Sequence, residues 1–451
     1  MHASRRVAIT GMGVLSPIGV GVENFWNGLL NKIPGISRAS EEYAFLPCRI
    51  FGCIDEDALK SQKEKTERHI TNCGYKISWR SISRSAAFGL CVAAEALAQC
   101  GLSGSIPLSS DLKDRCGVHF GFGLEGLTEI LHSGASICAG NYRGIGPHAL
   151  TRSLGNIPAG LISLFWGFRG FCMANSTACA SGVHSIGDAY RMIQHGEADI
   201  VLAGASEASI VPWSIAAFSR LRALSTSFND KPNQASRPFD SDRDGFVMSE
   251  GAAAFVLQAW PPSSQIVELT GNKTRPLAEI IGYGRSADAY DLLCHINCHA
   301  SSTPLGDNIE LAAVARLLAS LPSGNNSTSD PRVVVNSIKG YTGHLMGAAG
   351  AIEAVYTALS VARGQAMPNR NLYNPPELNE LAEVLMKNPT LRASDVDQAL
   401  ECFSTQIHLP KDDAPPIELQ VGSSTGRRVS LTNSFGFGGT NGSLVIAEWK
   451  D

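Results

Sequence analysis

Four short segments carry residues whose types and spacing could do chemistry. Cys179 lies in Asn175 to Gly182 (NSTACASG), a run of small residues that turns from a strand into a helix. A helix N-terminus favours negative charge, so a thiolate is favoured there. Its small neighbours let a substrate approach closely. His299 lies in Asn297 to Asp307 (NCHASSTPLGD), between a short apolar strand and a Ser/Thr/Pro/Gly turn. Lys339 and His344 lie in Asn336 to Glu353 (NSIKGYTGHLMGAAGAIE), just before a Gly/Ala-rich helix. Alone, each admits a plain structural reading, as a packed cysteine or a satisfied histidine. Together they form a candidate nucleophile with histidine partners, which need only be neighbours in space. The fourth segment, Asn433 to Gly442 (NSFGFGGTNG), reads as a tight hairpin. It could also offer backbone N–H groups to an oxyanion, with a Phe as a movable gate.

The elements that must position these groups alternate between apolar β-branched runs and helical periodicity, which predicts an α/β fold with parallel strands. Expected strands are Arg6 to Gly11, Cys116 to Gly121, Asp199 to Ala203 and Ala252 to Gln258. Expected helices are Ala86 to Leu102 and Gly182 to Gly196. Pro261 to Pro276 is polar with Pro at both ends and reads as a linker. The style then repeats. Leu277 to Tyr283 and Arg332 to Asn336 read as strands, Asn308 to Leu321 and Gly347 to Arg363 as helices, and Val429 to Ala447 as strand-turn-strand. The expected organisation is therefore two halves, 1–260 with the cysteine and 277–451 with the histidines. Asn374 to Arg428, with six prolines, is expected to contain a large surface excursion.

Composition narrows the partners. The chain has 451 residues, 44% of them hydrophobic and 17% charged, which is ample for a sizeable core. Net charge is −4, so there is no polybasic character to imply nucleic acid. The longest apolar stretch, Leu154 to Phe168, is broken by Asn156, Pro158 and Ser163 and is too short to span a membrane. No signal-peptide or transit-peptide pattern precedes the first strand. The 12 cysteines form no C-x-x-C pair, which fits a reducing compartment, with most as small buried hydrophobes. Gly121, Gly123 and Gly126 form G-x-G-x-x-G after a strand, but the immediate helix and distal acid of a dinucleotide site are poorly matched. No metal or cofactor site is expected.

The motifs taken together resemble the β-ketoacyl-acyl-carrier-protein synthases, the elongating condensing enzymes of fatty acid synthesis with the thiolase-like fold. The resemblance runs from Arg5 to Trp449. It includes VAITGMGVLSP (from Val7), STACASGVHSIGDA around Cys179, RLRALST (from Arg220), RPFDSDRDGFVMSEG (from Arg237), HASSTPLGD, KGYTGHLMGAAGAIE and NSFGFGGTN, in the family's order. EEYAFLPC (Glu41 to Cys48) is similar to the mitochondrial branch. The implied fold has two similar βαβαβαββ-type halves in an α-β-α-β-α layering.

The resemblance also implies roles. Cys179 would accept the acyl group, with the N–H groups of Cys179 and Phe435 as oxyanion hole. His299 and His344 would stabilise the enolate formed when malonyl-carrier protein loses CO2. Two histidines imply the elongating rather than the CoA-primed type. Lys339 would position or polarise the His344 region, and Glu310 would be a supporting acid. Ser301 and Thr303 would bind the pantetheine arm, and Phe435 would gate the acyl chain. Segment 121–126 would border the acyl pocket, and Cys298 would be packing. The implied partners are an acidic acyl carrier protein and a second copy of the chain. Candidate docking cations are Lys63, Lys65, Arg68, Arg220 and Arg222. The mitochondrion is the implied compartment, with the cytoplasm as alternative.

Two departures stand out. After Ser286-Ala287-Asp288-Ala289 the family continues with a helix, whereas here only Tyr290 to His295 (YDLLCH) precede the next strand. A parallel crossover usually takes at least ~10–12 residues with its helix. The second half is therefore expected to lack one crossover helix near 290–295, to expose a sheet face and to shift His299. The polar excursion before Arg428 is the opposite departure. The competing readings are an active condensing enzyme, a catalytically impaired variant or paralogue that keeps carrier-protein or dimer binding, and a thiolase or CoA-dependent relative. A thiolase would carry a second catalytic Cys in the C-terminal Gly-rich segment, and Asn433 to Gly442 has none.

Overall fold

The computed structural model describes residues 5–102, 109–270, 275–284, 293–320, 333–421 and 426–450. The first half contributes β1 (Arg6–Ser16), β2 (Cys116–Gly121), β3 (Cys172–Asn175), β4 (Ile200–Glu207) and β5 (Gly251–Trp260). Its helices include α1 (Glu56–Asn72), α2 (Arg84–Gln99), α3 (Leu127–Cys138), α4 (Ile157–Trp166), α5 (Ser181–Gln194) and α6 (Pro212–Arg220). The segment expected as a bare linker holds a further helix, α7 (Ser264–Thr270). Its Ile266 is buried in the same core as α2, and that burial is what orders the segment.

The second half contributes β6 (Ala278–Gly284), β7 (His295–Asn297), β8 (Val333–Asn336), β9 (Ile407–His408), β10 (Val429–Gly436) and β11 (Thr440–Glu448). Its helices include α8 (Pro304–Ser320), α9 (Ala349–Arg363), α10 (Leu378–Met386) and α11 (Ala393–Gln406). These eleven strands lie in one sheet of order β9-β8-β7-β10-β11-β6-β1-β5-β4-β2-β3, to which the short strand Gly19–Val20 adds by pairing with β1. β1 and β6 pair antiparallel and join the halves. Outward from that seam each half runs first, fifth, fourth, second, third strand, ignoring the short edge strand β9. The pairings match too, antiparallel near the seam and parallel at the far end.

Three cores follow from this layering. The inner faces of both half-sheets close over α5 and α9, which pack against each other. The outer face of β1, β5, β4 and β2 is covered by α2 and α4. On the other side α8, α10 and α11 form the outer layer. Buried apolar residues such as Phe255, Val256 and Leu257 fill β5 from both sides, as expected of a strand covered on two faces.

Segment 374–428 is not a mere surface excursion. Leu381 and Leu385 of α10, with Val396, Ala399 and Cys402 of α11, are buried against α8, and β9 adds an edge strand parallel to β8. The spacing of those residues gives each helix one apolar face, and the prolines at 375, 376, 389 and 410 fall outside the helices. The crossover expected to lack its helix spans residues 285–294. Of these, 285–292, including 290–292 of the 290–295 stretch singled out, lie outside the described residues.

Candidate active site

Cys179 sits two residues ahead of α5, in a sharp turn where Ala178 takes a φ of 50°. His344 sits just ahead of α9. The two helices start back to back. A Cβ on Gly182 would lie 2.5 Å from the Ala351 nitrogen, and one on Gly350 would lie 2.8 Å from a Val183 methyl. Glycine at these two positions lets the helices meet, and the turns that feed them come together at one end of the sheet. The hairpin β10–β11 closes over the cysteine turn. Ser434 Oγ donates to the Cys179 carbonyl at 2.8 Å, and Thr440 Oγ1 donates to the Thr177 carbonyl at 3.1 Å.

Cys179, His299, His344, Ser301, Thr303, Glu310 and Phe435 line one pocket of about 600 Å³. Phe218, Phe246 and Met346 supply apolar walls, and Leu221, Arg222 and Phe437 also line it. The His299 and His344 rings are 5.2 Å apart and nearly perpendicular, and the Phe435 ring is 5.7 Å from His299. His299 is not displaced from its partners by the short 285–294 connection. β7 is fixed by parallel pairing to both β8 and β10, and the N–H groups of His299 and Ala300 donate to the Glu310 carboxylate at 2.8 and 2.7 Å.

Hydrogen bonding sets both imidazole tautomers. The Met346 N–H donates to His344 Nδ1 at 3.1 Å, so that nitrogen is an acceptor and Nε2 carries the proton. Lys339 Nζ lies 3.4 Å from His299 Nδ1. An ammonium can only donate, so His299 also carries its proton on Nε2. Lys339 thus serves His299 directly, rather than the His344 region alone. It also pairs with Glu353, which is buried with it. Burial and the Lys339 charge hold both histidines far below their ordinary pKa, so both are neutral at pH 7.

The thiol behaves differently from the sequence expectation. Burial pushes Cys179 up to about 12, against the lowering effect of Lys339. The resting group is therefore a thiol, because desolvation outweighs the favourable position at a helix start.

Segment 121–126 has its own arrangement. The N–H groups of Gly123 and Leu124, which a dinucleotide site would present to phosphate, donate to the Glu207 carboxylate. Leu124, Glu125 and Gly126 line a separate cavity of about 440 Å³ and are not part of the lining around Cys179. Cys298 is fully buried in the outer core with α8. Arg222 lies at the pocket with exposed Leu221, and Arg220 ends α6 nearby, whereas Lys63, Lys65 and Arg68 lie on α1, outside the pocket lining. Among the described residues, no cluster of His, Cys, Asp or Glu could hold a metal, and no helix is long and apolar enough to cross a membrane. Sequence reasoning gave no role to Glu207, Glu353 or Ser434. The last two lie inside the quoted motifs, but Glu207 had no local signal.

Comparison with known proteins shows the family. The family described as Beta-ketoacyl synthase, N-terminal domain matches residues 4–260, and Beta-ketoacyl synthase, C-terminal domain matches residues 287–373. The chain is 36% identical to a putative mitochondrial 3-oxoacyl-acyl-carrier-protein synthase of Schizosaccharomyces pombe, covering 99% of each. It is 32% identical to the mitochondrial 3-oxoacyl-acyl-carrier-protein synthase of Arabidopsis thaliana, covering 99% of this chain and 94% of the other. A solved β-ketoacyl synthase from Burkholderia phymatum superposes with a TM-score of 0.74 at 24% identity, over 99% of this chain and 100% of that one. A ketosynthase of a type II polyketide system, solved with its acyl carrier protein, superposes at 0.72, also at 24% identity, over the whole of both chains. The chain has the thiolase-like fold and belongs to the β-ketoacyl synthase family of acyltransferase-type condensing enzymes.

Proposed function

We propose that Cys179, His299 and His344 carry out decarboxylative condensation of an acyl thioester with malonyl-carrier protein, with Lys339 and Glu310 holding His299. The observation that carries this reading is the pair of neutral imidazoles, each with Nδ1 engaged and Nε2–H left for the pocket that Cys179 also lines. In the first step Cys179 Sγ bonds to the acyl carbonyl and the carrier's thioester C–S bond breaks. The thiol proton leaves with the carrier's pantetheine sulfur. In the second step the malonyl C–C bond to the carboxylate breaks and CO2 departs. The electron pair forms an enolate whose oxygen accepts hydrogen bonds from His299 and His344 Nε2–H. In the third step the enolate carbon bonds to the acyl carbonyl on Cys179, and the C–S bond breaks. The product is 3-oxoacyl-carrier protein, and the cysteine thiolate regains a proton from solvent.

Neutral donors suit this chemistry. A group that donates without changing charge can stabilise a developing oxyanion in a dry pocket without a prior protonation step. The amides of Cys179 and Phe435 are the oxyanion donors of the first and third steps. Ser301 and Thr303 receive the pantetheine arm, and the Phe435 ring gates the acyl chain. Arg220, Arg222 and exposed Leu221 at the pocket form a docking patch for an acidic carrier protein. The chain works as a homodimer. β3 is the sheet's last strand and its Met173 is exposed; α4, which packs against β3, carries exposed Leu164, and α3 carries exposed Ile130 and Leu131. An unpaired edge beside apolar surface is a site for a second copy. The mitochondrial relatives support the mitochondrion as its compartment.

The test is acylation followed by mass spectrometry. Incubation with acyl-carrier protein is expected to place one acyl group on the peptide holding Cys179, and Cys179→Ala is expected to abolish both the adduct and condensation. An adduct on another residue, or condensation by the alanine variant, would overturn the assignment.

A further inference from the structure

Glu207 ends β4 and is 1% exposed. Its Oε2 accepts three backbone hydrogen bonds, from the N–H groups of Gly123 (3.0 Å), Leu124 (3.1 Å) and Gly347 (3.1 Å). The first two belong to the loop after β2 in one half of the molecule. The third belongs to the turn between His344 and α9 in the other. The carboxylate is outside the lining of the cysteine pocket and takes no part in the steps above.

The joint it makes has no slack. A Cβ on Gly123 would fall 2.4 Å from Glu207 Oε2, and one on Gly347 would fall 2.1 Å from the Gly123 nitrogen. The residue before Gly347 is Met346, which holds a φ of 48° although it has a side chain. That left-handed conformation is disfavoured for Met and persists only where its surroundings enforce it. Met346 is also the residue whose N–H meets His344 Nδ1. The chain of contacts is therefore Glu207 to the Gly347 amide, the Gly347–Met346 peptide, and the Met346 amide to the imidazole.

We propose that Glu207 is a positioning residue for His344. By pinning the Gly347 amide against the 123–124 loop, it keeps the Met346 N–H aimed at Nδ1 and so keeps the His344 proton on Nε2. The inference rests on the role given to His344 above. Without the clamp, the Met346 amide turns away and His344 samples the other tautomer. The enolate then loses one of its two side-chain donors, while Cys179 and its turn keep theirs.

The experiment compares Glu207→Ala, Glu207→Gln and the wild type by three readouts. The ¹⁵N shifts of the His344 ring report the tautomer without reference to activity. The rate of CO2 release from malonyl-carrier protein reports the enolate step. The rate of Cys179 acylation reports the nucleophile. For Glu207→Ala, a mixed His344 tautomer and a loss of about 10- to 100-fold in CO2 release are expected, with acylation within about threefold of wild type. Glu207→Gln keeps a carbonyl oxygen in the same place and is expected to restore most of the loss. If the alanine variant does not fold, Glu207→Asp, which withdraws the same carboxylate by one carbon, is expected to show the same pattern in smaller measure. An unchanged tautomer, or equal loss in acylation and CO2 release, would overturn the proposal. If the wild type itself releases no CO2, the proposed function fails instead, and the ring shifts still decide the role of Glu207.

Discussion

The two halves share one strand order, yet they cover their outer faces differently. In the first half α2 lies across β1, β5 and β4, and β1 is buried from Val7 to Ser16. A Cβ on Gly11 would fall 2.1 Å from the Ala96 carbonyl, and one on Gly13 would fall 2.1 Å from that of Val92. The helix thus rests directly on the strand. The corresponding strand of the second half is β6. The four residues 281–284 are only half-buried there, and the nearest described atom to a Cβ on Gly282 is a Val445 methyl at 3.3 Å. Gly11 faces Val256 across its pair, and Gly282 faces Val445 in the same way, so the two sites are equivalent positions of the repeat. The difference teaches that the site does not depend on equal coverage. Its second-half residues hang from β7, α8 and α9, which are held by their own neighbours, and not from the outer face of β6.

The largest contrast is expected at the two glycines. Gly11→Ala forces α2 off the strand and should cost about 3 kcal/mol or more in denaturant unfolding. Gly282→Ala should cost nothing measurable, or stabilise by about 0.5 kcal/mol through the less flexible unfolded chain. Equal losses at both would show that the β6 face is as tightly covered as that of β1. A smaller contrast is expected at the valines opposite them. Val256→Ala, in a fully buried side chain, should cost about 2–3 kcal/mol, and Val445→Ala, half-buried, about 1 kcal/mol.

The third comparison concerns buried histidines on the equivalent strands β2 and β7. His119 has a buried Nδ1 with no partner, whereas His295 is engaged at both nitrogens by Ser430 and Asn336. Burial lowers His295 to about 4, against an unfolded value of 6.5. Between these values the unfolded chain binds the proton and the folded chain does not, so the contribution is present above pH 6.5 and is lost as pH falls towards 4. Relative to His295→Gln, the wild type should lose about 1 kcal/mol of stability between pH 7 and pH 5.5. A constant gap across that range would contradict the burial of this ring.

Much of this was readable in the chain. Cys116–Gly121 has the same bounds in sequence and structure, because a short apolar run between polar residues is unambiguous. The turns carrying Cys179, His299 and His344 were also legible, because small residues and glycines at strand-to-helix junctions leave a local signature. Other features needed tertiary contacts. α1 is strongly charged, and only Leu59, Gln62, Thr66 and Ile70 face inward. α10 and α11 looked like a polar insertion until their sparse apolar residues met α8. The elevated Cys179 thiol depends on burial that no motif reports. Glu207 meets Gly347 from 140 positions away, so its role exists only in the folded chain.

The most direct measurement is a single turnover with the purified full chain, acylated at Cys179 and mixed with malonyl-carrier protein labelled in the free carboxylate. Stoichiometric release of labelled CO2 with one 3-oxoacyl-carrier protein per acyl-enzyme is expected. Substituting either His299 or His344 by Ala should slow that release by at least about 100-fold while leaving acylation of Cys179 in place. A folded wild-type chain that accepts the acyl group and releases no CO2 would contradict the assembly of a working site across the two unequal halves.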